Sequence, residues 1–104
     1  MMGNIRNNIF DLITAERARQ DQKWGYPQYN TLCEWASILG EEYGELCEEL
    51  NERNFGRGNR ERIIEEAIHV AAVAVSIIEH YDIAESTSAA WREYRNGGQM
   101  NHEL

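Results

Sequence analysis

Apolar residues recur at helical spacing from the start of the chain. Ile5, Ile9, Leu12 and Ile13 predict a first helix from about Asn4 to Gln22. Trp24-Gly25-Tyr26-Pro27 breaks that pattern. Thr31, followed three positions later by Glu34, is the signature of a capping box. It opens a second helix running to about Glu52, with Leu32, Trp35, Leu39, Tyr43, Leu46 and Leu50 as its apolar stripe. The glycines of Asn54-Phe55-Gly56-Arg57-Gly58 predict a loop. Asn59 can cap a third helix reaching about Tyr81, and this helix is apolar nearly all round from Ile63 to Ile78. Asp82-Ile83-Ala84-Glu85 reads as another capping box, for a shorter helix that stops before Gly97-Gly98, and Gln99 to Leu104 is expected to be a loose tail. The pattern predicts an all-α, four-helix bundle in one domain spanning 1–104. Three neighbours in so short a chain do not readily cover the third helix, so an oligomer is expected.

The polar positions add chemistry to this scaffold. Between Thr31 and Glu52 the second helix carries Glu34, Glu41, Glu42, Glu45, Glu48, Glu49 and Glu52, with no Lys or Arg. Like charges at i,i+4 each cost about 0.2–0.5 kcal/mol in an isolated helix. A solvated face usually interleaves Lys, so solvent, a neighbouring helix or a cation must relieve the repulsion here. At about 100° per residue, Glu42 falls about 60° and Glu45 about 120° from the centre of the apolar stripe, on the same side. Glu41 and Glu48 point roughly away from it. Glu48, Glu49 and Glu52 read as ordinary wet surface.

The third helix has the complementary oddity. Glu66 and His69 stand at i,i+3 within its apolar stretch, and no Lys or Arg lies between Glu65 and Glu79. A buried carboxylate is normally paired, protonated or metal-bound. Glu65 has a simpler account, as a partner for Arg62. A short loop between antiparallel helices would set Glu42 and Glu45 opposite Glu66 and His69. Three carboxylates and an imidazole at that crossing suit a divalent cation.

Charge and composition narrow the classes of partner. Eighteen acids against ten Lys and Arg give a net charge of -8. This argues against sequence-independent binding to a nucleic acid polymer or an anionic membrane, which both demand a basic surface. The nearly apolar run from Val70 to Ile78 is too short to span a bilayer. Met1 to Phe10 has no apolar core of a secretory signal, so a cytoplasmic location is expected. Cys33 and Cys47 lie roughly 21 Å apart along one helix, too far for a disulfide, and are expected to be reduced, core-lining thiols.

Gly40-Glu41-Glu42-Tyr43-Gly44-Glu45-Leu46, followed by Glu65-Glu66-Ala67-Ile68-His69, resembles the EExxE…ExxD pattern of the MazG-like all-α nucleoside triphosphate pyrophosphohydrolases. Glu16-Arg17-Ala18-Arg19-Gln20-Asp21-Gln22-Lys23-Trp24-Gly25 is similar to the first-helix segment of small members. The resemblance covers roughly Asp11 to Tyr81. It implies hydrolysis of an NTP or dNTP between the α- and β-phosphates, to the monophosphate and pyrophosphate, by a homodimer or homotetramer using Mg²⁺. By this resemblance Glu42, Glu45 and Glu66 match the metal ligands, and Glu41 matches a residue that orients or deprotonates the attacking water. His69 stands where the family has Asp. Nitrogen in place of oxygen shifts the expected metal toward Mn²⁺.

A polyanionic triphosphate is repelled by carboxylates unless metal intervenes, and its base needs a flat apolar surface. Trp24 is the preferred contact for the base, with Gln20 and Lys23 as polar contacts; Tyr26 and Tyr29 are further candidates for packing against it. Two other classes stay open from the residues alone. Glu66-x-x-His69 also occurs in ferritin-like di-iron proteins, which need a second copy of that motif. A helical interaction module that has lost catalysis through His69 is the other.

Overall fold

In the computed structural model the described residues are 2–81, 92–93 and 96–97. Three helices account for most of them: α1 (Met2–Trp24), α2 (Leu32–Asn54) and α3 (Arg60–His80). The all-α expectation holds, and three of the boundaries have a plain local cause. α1 ends at Gly25, whose φ of 88° is the left-handed conformation that glycine adopts without a Cβ penalty, and whose N–H donates to the Asp21 carbonyl at 2.7 Å. α2 starts on the capping box: Glu34 N–H donates to Thr31 Oγ1 at 3.1 Å, and Thr31 N–H donates to the Glu34 carboxylate at 2.7 Å. α3 starts where Asn59 accepts from the N–H groups of Glu61 and Arg62. Of the predicted fourth helix only Arg92 and Glu93, both helical, and the turn at Asn96–Gly97 are described; the rest of it, and the tail from Gln99, lie outside the described residues. No helix among the described residues is long and apolar enough to cross a membrane.

α3 packs against both α1 and α2, which do not pack on one another. The residues buried at these two interfaces are few and largely polar. Trp35, Ala72 and Val73 supply the apolar part, and Arg17, Gln20, Glu66 and Ser76 are buried beside them.

The face that α2 presents to α3 differs from the expected stripe. Trp35, Ile38, Leu39, Glu42, Leu46 and Glu49 are buried or half-buried along this face, with Cys47 and Glu52 half-buried beyond it, whereas Leu32, Tyr43 and Leu50 are exposed. On a wheel this packed face is turned about 60° from the apolar stripe, toward the acids, and Glu42 sits near its centre. One helix cannot bury two faces against a single neighbour, so half of the stripe is left facing outward. Within the single chain α3 is likewise left partly uncovered: Ile64, Ala67, Ala74 and Ile78 form an exposed strip along it. Cys33 and Cys47 are both free, but Cys33 is exposed and not core-lining.

Candidate metal centre

The α2–α3 crossing places Glu42 opposite Glu66 and His69, as an antiparallel pair joined by a short loop must. His69 Nδ1 lies 3.4 Å from Glu42 Oε2 and 3.4 Å from Glu66 Oε1. One ligand atom from each of the three residues lies within 4.8 Å of the others. Glu66 is 4% exposed, while Glu42 and His69 are half-buried. Burial raises the Glu42 carboxyl above its ordinary value, and the neighbouring charges of Glu45 and Glu66 push the same way, against the opposing effect of His69.

Glu66 contradicts one expectation and sharpens another. It does have a local cationic partner: Arg62, four residues earlier, reaches Oε2 at 3.4 Å. The same guanidinium lies 3.4 Å from Glu65, as expected, and 3.6 Å from Glu49. Glu49 is therefore a half-buried tie between α2 and α3, not wet surface. The other oxygen of Glu66, Oε1, is buried and has no hydrogen-bond partner. A buried acceptor left unsatisfied costs about 1–3 kcal/mol, and more if charged. With Glu42 Oε2 and the His69 imidazole nitrogen, this oxygen makes a set of two carboxylates and one imidazole that fits a divalent cation.

Glu45 and Glu41 are exposed, and both line the cavity that opens over the cluster without joining the three converging residues. This cavity measures about 550 Å³. Its opposite wall carries Gln20, Lys23 and Trp24, so the substrate contacts expected from the sequence and the carboxylates share one space. The Trp24 ring is exposed, and Lys23 Nζ lies 4.8 Å from its centroid, a cation–π contact. Tyr26 and Tyr29 are exposed and lie outside this lining.

Two residues of the wall, Glu16 and Arg19, were not singled out by the sequence reading. Arg19 Nε and Nη2 donate to the two Glu16 oxygens at 2.8 and 2.6 Å. Their i,i+3 spacing, and that of Glu16 to Gln20 at i,i+4, is the signal that places them on the face of α1 that carries Gln20. Gln20 has a fixed amide orientation. Arg17 Nη1 donates to its Oε1 at 3.1 Å, and because Arg has no acceptor the amide nitrogen must point the other way, toward Glu16 at 3.2 Å. Arg17 is itself held by Glu79 and Asp21, at 2.6 and 2.8 Å.

The segment between α1 and α2 is pinned over the end of α3. Gln28 N–H donates to His80 Nε2 at 2.9 Å, while His80 Nδ1 lies 2.7 Å from the Ser76 carbonyl. An acceptor at Nε2 and a donor at Nδ1 define one neutral tautomer. The ring packs between Tyr26 and Trp35, with centroids 5.0 and 5.2 Å away. This contact sets Gln28 and Asn30 on the cavity wall.

No protein-family model, curated protein or solved structure matches this chain.

Proposed function

We propose that this protein is a metal-dependent nucleoside triphosphate pyrophosphohydrolase, cleaving an NTP or dNTP between the α- and β-phosphates to the monophosphate and pyrophosphate. The observation that carries the reading is the buried Glu66 Oε1, which makes no hydrogen bond. It faces Glu42 and His69 beneath a cavity whose far wall holds an exposed indole and two basic side chains. In the proposal Glu42, Glu66 and His69 hold Mg²⁺ or Mn²⁺, with Glu45 at the edge of the set. The ion supplies charge neutralisation for the phosphates and acidifies a water.

The chain's own residues account for the rest. Glu41, an exposed carboxylate on the cavity wall, is assigned to orient or deprotonate the attacking water. Arg19 and Lys23 supply positive charge toward phosphate oxygens beside an otherwise acidic site. Trp24 offers a flat surface for the base, and Gln20, its oxygen committed to Arg17, offers an amide donor. The proposal includes assembly as a homodimer or homotetramer, supported by the outward strips of α2 and α3, whose apolar residues a second copy would cover.

Incubating the protein with a panel of NTPs and dNTPs, each with Mg²⁺ or Mn²⁺, tests the reading. Monophosphate and pyrophosphate in equal amounts are expected. Diphosphate and phosphate, or no turnover of any substrate with either metal, refute it.

A further inference from the structure

We propose that Glu16 of α1 is the positioning residue of His69: its carboxylate accepts the Nε2–H of the imidazole and so commits Nδ1 to the cation. This rests on the reading of Glu42, Glu66 and His69 as ligands, and goes beyond it by assigning α1 a part in the metal site.

The geometry is that of a ring held between two sets of oxygens. Nδ1 faces Glu42 and Glu66, each at 3.4 Å, and Nε2 faces Glu16 Oε2 at 3.8 Å. A neutral imidazole carries one proton, so a nitrogen that ligates metal leaves the N–H on the other. Metal-bound histidines almost always give that second N–H to a carboxylate, carbonyl or water, which fixes both tautomer and ring plane. Among the described residues, the carboxylate that faces Nε2 is that of Glu16. At 3.8 Å the contact is longer than a hydrogen bond, as such contacts often are before a site is loaded.

Glu16 is built for this role. Its side chain is 10% exposed, and both oxygens are held by Arg19. Gln20 donates to Oε2, the oxygen nearest His69, and Gln20 is oriented in turn by Arg17. The hydrogen bonds from Arg19 hold the Glu16 carboxyl below its ordinary value despite partial burial, so it is an acceptor at neutral pH. Glu16 is not among the three residues whose ligand atoms converge, which separates orienting the ring from binding the ion.

The test is a Mn²⁺ titration of the wild type, Glu16→Gln and Glu16→Ala, read from the electron paramagnetic resonance signal of free Mn²⁺. Nitrogen-15 spectra of the His69 ring with Zn²⁺, a diamagnetic stand-in, accompany it. Glu16→Ala is expected to bind Mn²⁺ about 10–100-fold more weakly. Glu16→Gln, whose amide oxygen still accepts a hydrogen bond, is expected to stay within about threefold of wild type and to keep the Nδ1-bound, Nε2–H ring. If the alanine variant loses helicity, Glu16→Leu, closer in bulk, is expected to reproduce the weaker binding. Wild-type affinity in Glu16→Ala overturns the assignment, and so does a Glu16→Gln variant as weak as Glu16→Ala. A wild type that binds no Mn²⁺ overturns the ligand reading itself, a result distinct from binding that ignores Glu16.

Discussion

Glu66→Gln should reverse its effect on stability according to whether metal is present. In the metal-free protein the carboxylate gains about 5 kcal/mol of Coulomb energy from Arg62 at 3.4 Å, taking an effective dielectric of about 20. Arg62 is 51% exposed, so screening reduces this gain, and the several kcal/mol lost on burying a carboxylate offsets what remains. The residual is Oε1, buried without a hydrogen bond. A glutamine can keep its oxygen toward Arg62 and turn its NH₂ toward the Glu42 and His69 atoms that Oε1 now faces. The expected gain is about 1 kcal/mol, roughly 4–8 °C in Tm for a domain of this size. At Mn²⁺ about 100 times Kd the wild type gains about 2.7 kcal/mol. A variant whose affinity has fallen about 100-fold gains only about 0.4 kcal/mol, and the order of stability inverts. Urea or thermal unfolding followed by circular dichroism, with Mn²⁺ or with a chelator, reads both arms. A variant less stable than wild type in chelator, or one stabilised by Mn²⁺ as much as wild type, refutes the reasoning.

Other expectations follow from the same geometry. Glu42→Gln should stabilise the metal-free protein by about 0.5 kcal/mol at neutral pH. Because burial raises the folded-state pKa of Glu42 above its ordinary 4.5, the folded wild type binds that proton first, and its stability recovers as pH falls through the raised value. The advantage of Glu42→Gln should therefore shrink on acidification; unfolding curves in which it grows contradict the sign. Replacing His69 with Asp should lower the ratio of Mn²⁺- to Mg²⁺-supported turnover, since oxygen replaces nitrogen in the ligand set, and identical ratios in the two proteins would remove His69 from that set. His80→Phe keeps a ring between Tyr26 and Trp35 but deletes the acceptor for Gln28, so the Gln28 amide should exchange with solvent about tenfold faster. Unchanged protection would show that His80 does not hold this segment. Light scattering at micromolar concentration should give a dimer or tetramer, and a stable folded monomer would count against assembly through the exposed strips of α2 and α3.

The helices were legible because their signals are local. Thr31 and Glu34 form the capping box their spacing predicts, Asn59 caps α3, and Gly25 ends α1 in the left-handed conformation. Each of these depends on residues within one turn, where sequence distance and spatial distance agree. The convergence of Glu42, Glu66 and His69 was legible for a related reason: a short loop leaves two long helices little choice but to run antiparallel, which fixes the register of the crossing. The pairing of Arg62 with Glu65 followed from i,i+3 spacing alone.

What the sequence obscured was rotation about a helix axis. A wheel ranks faces by apolarity and takes the most apolar one as buried, which holds when a helix has one neighbour and one face to hide. α2 hides the face centred on Glu42 and leaves Leu32, Tyr43 and Leu50 outward, so apolarity alone chose the wrong centre by about 60°. That rotation explains several departures together. It brings Glu49 inward to meet Arg62, and leaves Glu45 at the edge of the cavity while Glu42 enters the cluster. It also explains why Glu16 and Arg19 escaped notice. On α1 they are an ordinary i,i+3 ion pair, and only the docking of that helix against α3, tied by Arg17 to Glu79, turns their face toward His69. A polar face buried while apolar positions stay exposed runs against the usual economy of a helix. It becomes intelligible if the acids are held inward by a cation and the apolar positions by a second copy of the chain. Both conditions then act on α2 at once, so loss of either should loosen the same helix.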